Sequence, residues 1–159
     1  MSATASWCEP VDDESLMKEA LHEAQSAFAE GEVPIGAVVA RDGQILGRGH
    51  NSKENLCDPT AHAEILALRQ AAQLTGSWRL TGSNLYATAE PCLMCLGAAL
   101  QARVGTIVFG CEEPKFGAVR LLARDSIVKA GNHALIVRGG VLGRECAEIL
   151  RSFFETRRL

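Results

Sequence analysis

The chain has 159 residues, the length of one domain, and a net charge of −3. Hydrophobic residues make up 47% and charged residues 22%, a balance that excludes a disordered segment and a nucleic-acid binder held by overall positive charge. A local basic patch serving one RNA stays compatible with these values. No run of about eighteen apolar residues occurs, so no membrane-spanning helix is expected. The opening "MSATASWCEPVDDE" has neither the basic nor the apolar region of a secretory signal. Six cysteines without such a signal point to a reducing, cytoplasmic setting, with thiols used for metal or packing rather than disulfides.

Residues 1–11 read as a flexible leader, and 12–159 as a single domain. From Asp13, the apolar residues Met17, Ala20, Leu21, Ala24, Ala27 and Phe28 recur at helical spacing. Asp12 or Asp13 is placed to cap this helix and Gly31 to end it. "IGAVVARDGQILGRGHN" predicts two strands joined at Asp42-Gly43. A second helix is expected from near Thr60 to Gly76. "NLYATA" reads as a strand, and "PCLMCLGAALQAR" as a helix with Pro91 at its first position. "TIVFG" is a buried-strand candidate, "CEEPKFGA" a loop, 118–130 a short helix and "ALIVRGG" a further strand. Leu142, Cys146, Ile149, Leu150 and Phe153 mark a closing amphipathic helix. This order implies a mixed sheet with helices on both faces, an antiparallel hairpin first and right-handed crossovers later.

Cys92 and Cys95 stand three apart at a helix start, where both sulfurs share one side of the turn and the helix end favours thiolates. His62 stands at the start of another helix. One imidazole and two thiolates make a three-ligand zinc set whose fourth position is open, the mark of a catalytic site. A lone Cys-x-x-Cys is weak by itself, and Cys57 or Cys111 would turn the set into a closed structural site. Glu64 is then a third ligand type, a proton carrier or an ordinary helix carboxylate. In a helix's first turn it reaches alongside His62 without displacing a bound water, which suits proton transfer.

The joint pattern His62-Ala63-Glu64 with Pro91-Cys92-x-x-Cys95 resembles the signature of the zinc nucleobase deaminases. "EVPIGAVV", "DPTAHAEILALRQ", "YATAEPCLMCLGA", "VFG" and "FFETRR" further resemble the bacterial tRNA-specific adenosine deaminases, from about Ser15 to Leu159. The resemblance implies a three-layer α/β/α cytidine-deaminase-like fold with a mixed five-stranded sheet, one zinc ion per subunit and a homodimer. It also implies conversion of the wobble adenosine of an arginine tRNA to inosine. Zinc-bound hydroxide would attack carbon 6 while Glu64 shuttles protons.

By the same resemblance, His62, Cys92 and Cys95 hold the zinc. Asn51 reads nitrogen 7 of the purine, the Ala63 amide holds the zinc-side oxygen, and Val33 belongs to the substrate pocket. Glu90 and Pro91 would support the site, Glu90 by capping the cysteine helix. Lys115, Phe154, Arg157 and Arg158 match positions near the anticodon loop, whose bases and phosphates suit aromatic and cationic partners. Glu113, Phe116 and Glu155 depart from the family's usual residues. Competing readings are a deaminase of a free base or nucleoside such as guanine or cytosine, and a non-catalytic zinc-binding RNA module.

Overall fold

The computed structural model describes residues 12–122 and 133–158. The expected leader, residues 123–130 of the expected short helix, and Leu159 lie outside them. Helix α1 spans Asp13–Ala29, and Asp12 is its cap, accepting the Ser15 amide at 2.8 Å. Asp13 instead ties the helix start to the sheet, since its carboxylate binds the Tyr86 hydroxyl at 3.0 Å and the Arg138 guanidinium. Gly31 follows the last turn with φ of +79°, the left-handed conformation expected of a terminating glycine.

Strands β1 (Gly36–Arg41) and β2 (Gln44–His50) form the predicted hairpin. Asp42 and Gly43 both take positive φ, as a two-residue turn matched to the twist of its strands requires. Strands β3 (Asn84–Ala89), β4 (Thr106–Cys111) and β5 (Ile136–Arg138) complete a sheet of order β2-β1-β3-β4-β5. β1 runs antiparallel to β2 and β3, whereas β3, β4 and β5 are mutually parallel. Among the described residues, the further helices are α2 (Lys53–Leu56), α3 (Ala63–Thr75), α4 (Leu93–Gln101), α5 (Val119–Leu122) and α6 (Gly143–Thr156).

Alternation along the strands divides the core. Ala37, Val39, Leu85, Ala87 and Ile107 face α3 and α4, meeting Ala67, Leu68, Ala71, Leu96 and Ala99. Val38, Ala40, Tyr86 and Val108 face α1 and α6, meeting Leu16, Met17, Ala20 and Cys146. Both faces are covered, which gives the expected three-layer α/β/α arrangement. On β2, side chains are nearly absent where α3 crosses: a Cβ on Gly47 would lie 2.2 Å from the Ala67 carbonyl oxygen. The helix therefore lies almost directly on the strand backbone. Among the described residues, no helix is long and apolar enough to cross a membrane.

Two expected helix starts move. α3 begins at Ala63 rather than near Thr60, because Asp58 accepts both the amide and the hydroxyl of Thr60 at 2.8 and 2.7 Å. That turn uses up the capping groups and delivers His62 in an extended conformation as the residue before the helix. Likewise, Pro91 is not the first helical residue. Cys92 precedes α4 in extended conformation and bridges to Gly117, while the Ala118 amide donates to the Pro91 carbonyl at 3.0 Å. These backbone contacts with the 117–118 segment hold Cys92 extended, so the helix starts only at Leu93.

Candidate active site

His62 and Cys92 are each the last extended residue before a helix, and Cys95 lies in the first turn of α4. The two helix starts meet at the same end of the sheet. His62 Nδ1 lies 3.6 Å from Cys92 Sγ and 3.5 Å from Cys95 Sγ. Among the described residues these three form a group able to hold a metal ion, with ligand atoms all within 4.8 Å of one another. Cys57 and Cys111 do not join it. The Cys57 thiol is exposed and faces the Glu54 carbonyl, and that of Cys111 faces the Thr88 carbonyl.

The two site thiols differ. The hydrogen bond from Cys95 pulls the Cys92 thiol down to about 3, against the effect of burial and with help from His62. Cys95 is pushed far up by the same thiol contact and by its own burial. His62 is raised above its ordinary value, first by its hydrogen bond with Cys92. Cys111 and Cys146, away from the group, are raised to about 11 and 12 by burial and are poor ligands or nucleophiles.

Glu64 occupies the first turn of α3, yet only 4% of it is exposed. An ordinary first-turn carboxylate would face water. Burial raises its pKa, opposed by its own backbone amide and the nearby His62. Ala63 is fully buried between these two residues.

Asn51, directly after β2, is 4% exposed and donates from Nδ2 to the Val33 carbonyl at 3.4 Å. The next residue, Ser52, donates its amide to Ala61 at 3.0 Å, which holds the end of β2 beside the His62 turn. Asn51 and Val33 are thereby brought together near the group, while Oδ1 and one Nδ2 hydrogen remain for other partners. Sequence reasoning missed the residues that hold this wall. Glu32, 2% exposed, accepts the Asn55 amide at 2.7 Å. His50 bridges Glu23 and Glu30 at 2.9 and 3.1 Å. A lone acid within "EVPIG" is the local signal for Glu32; nothing nearby in the chain marks its partner.

Glu90 does not cap α4. Its carboxylate accepts the amides of Glu113 and Val119 at 3.4 and 3.2 Å, across the loop after β4. Lys115, on that loop, lines a surface cavity of about 420 Å³ with Phe154, Arg157 and Arg158 from the end of α6 and the residues after it. Arg157 is partly engaged by the fold, donating to the Gly31 carbonyl and lying 4.4 Å over the Phe153 ring. Phe154 is about half exposed.

The family model for MafB19-like deaminases matches residues 11–158. The tRNA-specific adenosine deaminase of Bacillus subtilis (strain 168) is 44% identical over 146 residues, covering 92% of this chain and 91% of that protein. A solved structure from a study of A-to-I editing by tRNA:A34 deaminases at the wobble position of transfer RNA superposes with a TM-score of 0.79. It is 43% identical and covers 84% of this chain and 97% of its own. Guanine deaminase from Bacillus subtilis superposes with a TM-score of 0.62 at 35% identity, over 75% of each chain. Near-complete coverage by the first relative and by the deaminase family model leads to one assignment: the chain belongs to the tRNA-specific adenosine deaminase family.

Proposed function

We propose that the protein hydrolyses the 6-amino group of the wobble adenosine in an arginine tRNA, yielding inosine and ammonia. The observation that carries this reading is a buried carboxylate, Glu64, beside three convergent metal-binding side chains. One nitrogen and two sulfur donors suit zinc. Zn–N of about 2.0–2.1 Å and Zn–S of about 2.3 Å at tetrahedral angles separate N and S by about 3.5–3.6 Å. The separations here are 3.6 and 3.5 Å. His62, Cys92 and Cys95 would hold the ion. Bound there, it supplies a Lewis acid that makes water a nucleophile near neutral pH.

The chain's residues divide the remaining work. Glu64 accepts a proton from the attacking water and delivers it to ring nitrogen 1 of the purine. It then carries the second proton to the departing amino group, so carbon 6 gains an oxygen as its bond to nitrogen breaks. Asn51 Nδ2 has one hydrogen left for nitrogen 7, and the Ala63 amide supports the incoming oxygen. Val33, whose carbonyl fixes Asn51, lines the base pocket. Lys115, Phe154 and Arg158 receive the anticodon loop, with Arg157 assisting from its place on Phe153.

A homodimer fits the same reading. α4 carries no charged residue, and Leu93 on it is 56% exposed, an apolar surface that a second copy would cover. Its free thiols suit the reducing cytoplasm.

The guanine deaminase likeness favours a second reading, attack on a free base by the same chemistry. Purified protein is therefore expected to form inosine in an arginine-tRNA anticodon stem-loop, with little action on free adenosine, cytidine or guanine. Equal or faster turnover of a free base would overturn the tRNA assignment.

A further inference from the structure

Glu90 stands directly before the Pro91-Cys92 corner, and its two carboxylate oxygens face opposite ends of one loop. Oε1 accepts the Glu113 amide and Oε2 the Val119 amide. Inside that span, Glu113 accepts the Lys115 amide at 2.9 Å through its side chain and the Gly117 amide at 2.9 Å through its backbone. Gly117 presses against the carboxylate: an added Cβ would lie 2.2 Å from Glu90 Oε2. Gly117 also bridges Cys92. The loop's outward residues are Lys115, in the basic cavity, and Phe116, 72% exposed.

We propose that Glu90 is a positioning residue for RNA, fixing the 113–119 loop so that Lys115 and Phe116 stand in register with the metal-binding corner. The proposal rests on the reading that the substrate is an RNA. Its chemical basis is that a carboxylate offers acceptors at both ends. A glutamine keeps one acceptor and turns a donor toward the other amide. A bare loop would have to order these residues when RNA binds, whereas here their backbone is already set. Phe116 then offers a ring for an unstacked base and Lys115 a phosphate contact.

The test uses the whole protein and an arginine-tRNA anticodon stem-loop. Glu90→Gln is expected to keep the metal content of the parent and a kcat within about twofold, while KM rises about tenfold. Gly117→Ala, whose Cβ would crowd both the carboxylate and the Glu113 carbonyl, disturbs the same loop and should give the same split. Glu90→Asp retains both acceptors one methylene short and should fall between. Lys115→Ala should matter less in the Glu90→Gln background than in the parent, because its register is already lost. Amide exchange at Glu113 and Val119 should quicken in Glu90→Gln without substrate present.

Loss of metal, or a fall in kcat at constant KM, would assign Glu90 to the cysteine ligands and overturn the proposal. So would independent, multiplicative effects of Glu90→Gln and Lys115→Ala, or unchanged exchange at the two amides. An unaltered protein inactive on the stem-loop would instead overturn the tRNA reading on which the proposal rests.

Discussion

Gly49 and Ala63 touch across the strand–helix interface so closely that a Cβ on Gly49 would sit 2.4 Å from the Ala63 carbonyl oxygen. Ala63 lies between His62 and Glu64, so strand β2 sets the height of the turn that carries both side chains. Gly49→Ala must push α3 away, with a stability loss of about 1–3 kcal/mol. It should also lower inosine formation beyond what the unfolded fraction explains. Gly105→Ala, where the nearest atom to the new Cβ is 3.7 Å away, is the control expected to keep both properties. Urea unfolding and turnover, measured together on the two variants, check the point.

Burial of Glu64 next to the three candidate ligands makes its proposed proton transfer separable from metal retention by mutation. Glu64→Gln keeps the shape of the side chain and should retain about one zinc per chain while turnover falls a hundredfold or more. His62→Ala and Cys95→Ser should lose the metal, whereas Cys57→Ser, at an exposed thiol outside the group, should keep it. Elemental analysis beside turnover distinguishes the classes. Chelation should abolish activity and added zinc restore it; if Glu64→Gln also lost the metal, Glu64 would be a ligand or a structural support.

The link from His50 to Glu23 and Glu30 gives stability a pH dependence. Burial opposes the charged imidazole, but the two carboxylate contacts outweigh it and raise the pKa above the ordinary 6.5. A pKa higher in the folded state favours folding fully below the unfolded value and fades as pH rises through the folded one. The melting-temperature advantage over His50→Gln should therefore be larger at about pH 6 than at about pH 9. An advantage that grows with pH would contradict this assignment.

Arg157 and Arg158 are neighbours with different surroundings. Arg157 donates to the Gly31 carbonyl and covers Phe153, so Arg157→Ala should lower stability as well as RNA affinity. Arg158→Ala should leave stability unchanged and weaken stem-loop binding alike for all loop sequences. Its salt dependence should become shallower by about 0.7, the share of one phosphate contact on single-stranded RNA. Melting curves and binding isotherms across a salt series read both effects; an unchanged slope for Arg158→Ala would remove it from the RNA face.

Much of the fold is legible because its signals are local. Asp42-Gly43 specifies its turn through two adjacent residues that tolerate positive φ, and both take it. Apolar spacing in α1 identifies its buried face without reference to any partner, and the nearly continuous apolar run of β1 fits a strand covered on both faces. Helix starts are less legible. Thr60 and Pro91 have the right chemistry to begin helices, but Asp58 and the Gly117–Ala118 backbone compete for the same groups. That competition with the 117–118 loop joins residues more than twenty positions apart and leaves no periodic trace.

At the site, the donor types and the carboxylate are legible in short stretches of chain: an imidazole, two thiols three residues apart, and a glutamate two residues after the histidine. Which thiols converge follows from folding, which leaves Cys57 in solvent and Cys111 against Thr88. It likewise buried Glu64, turned Glu90 from α4 toward the 113–119 loop, and gathered Lys115, Phe154, Arg157 and Arg158 around one cavity. The reason is range. Ligand identity and short spacing are written in neighbouring residues, whereas burial and hydrogen-bond partnership arise when segments far apart in the chain compete for the same space.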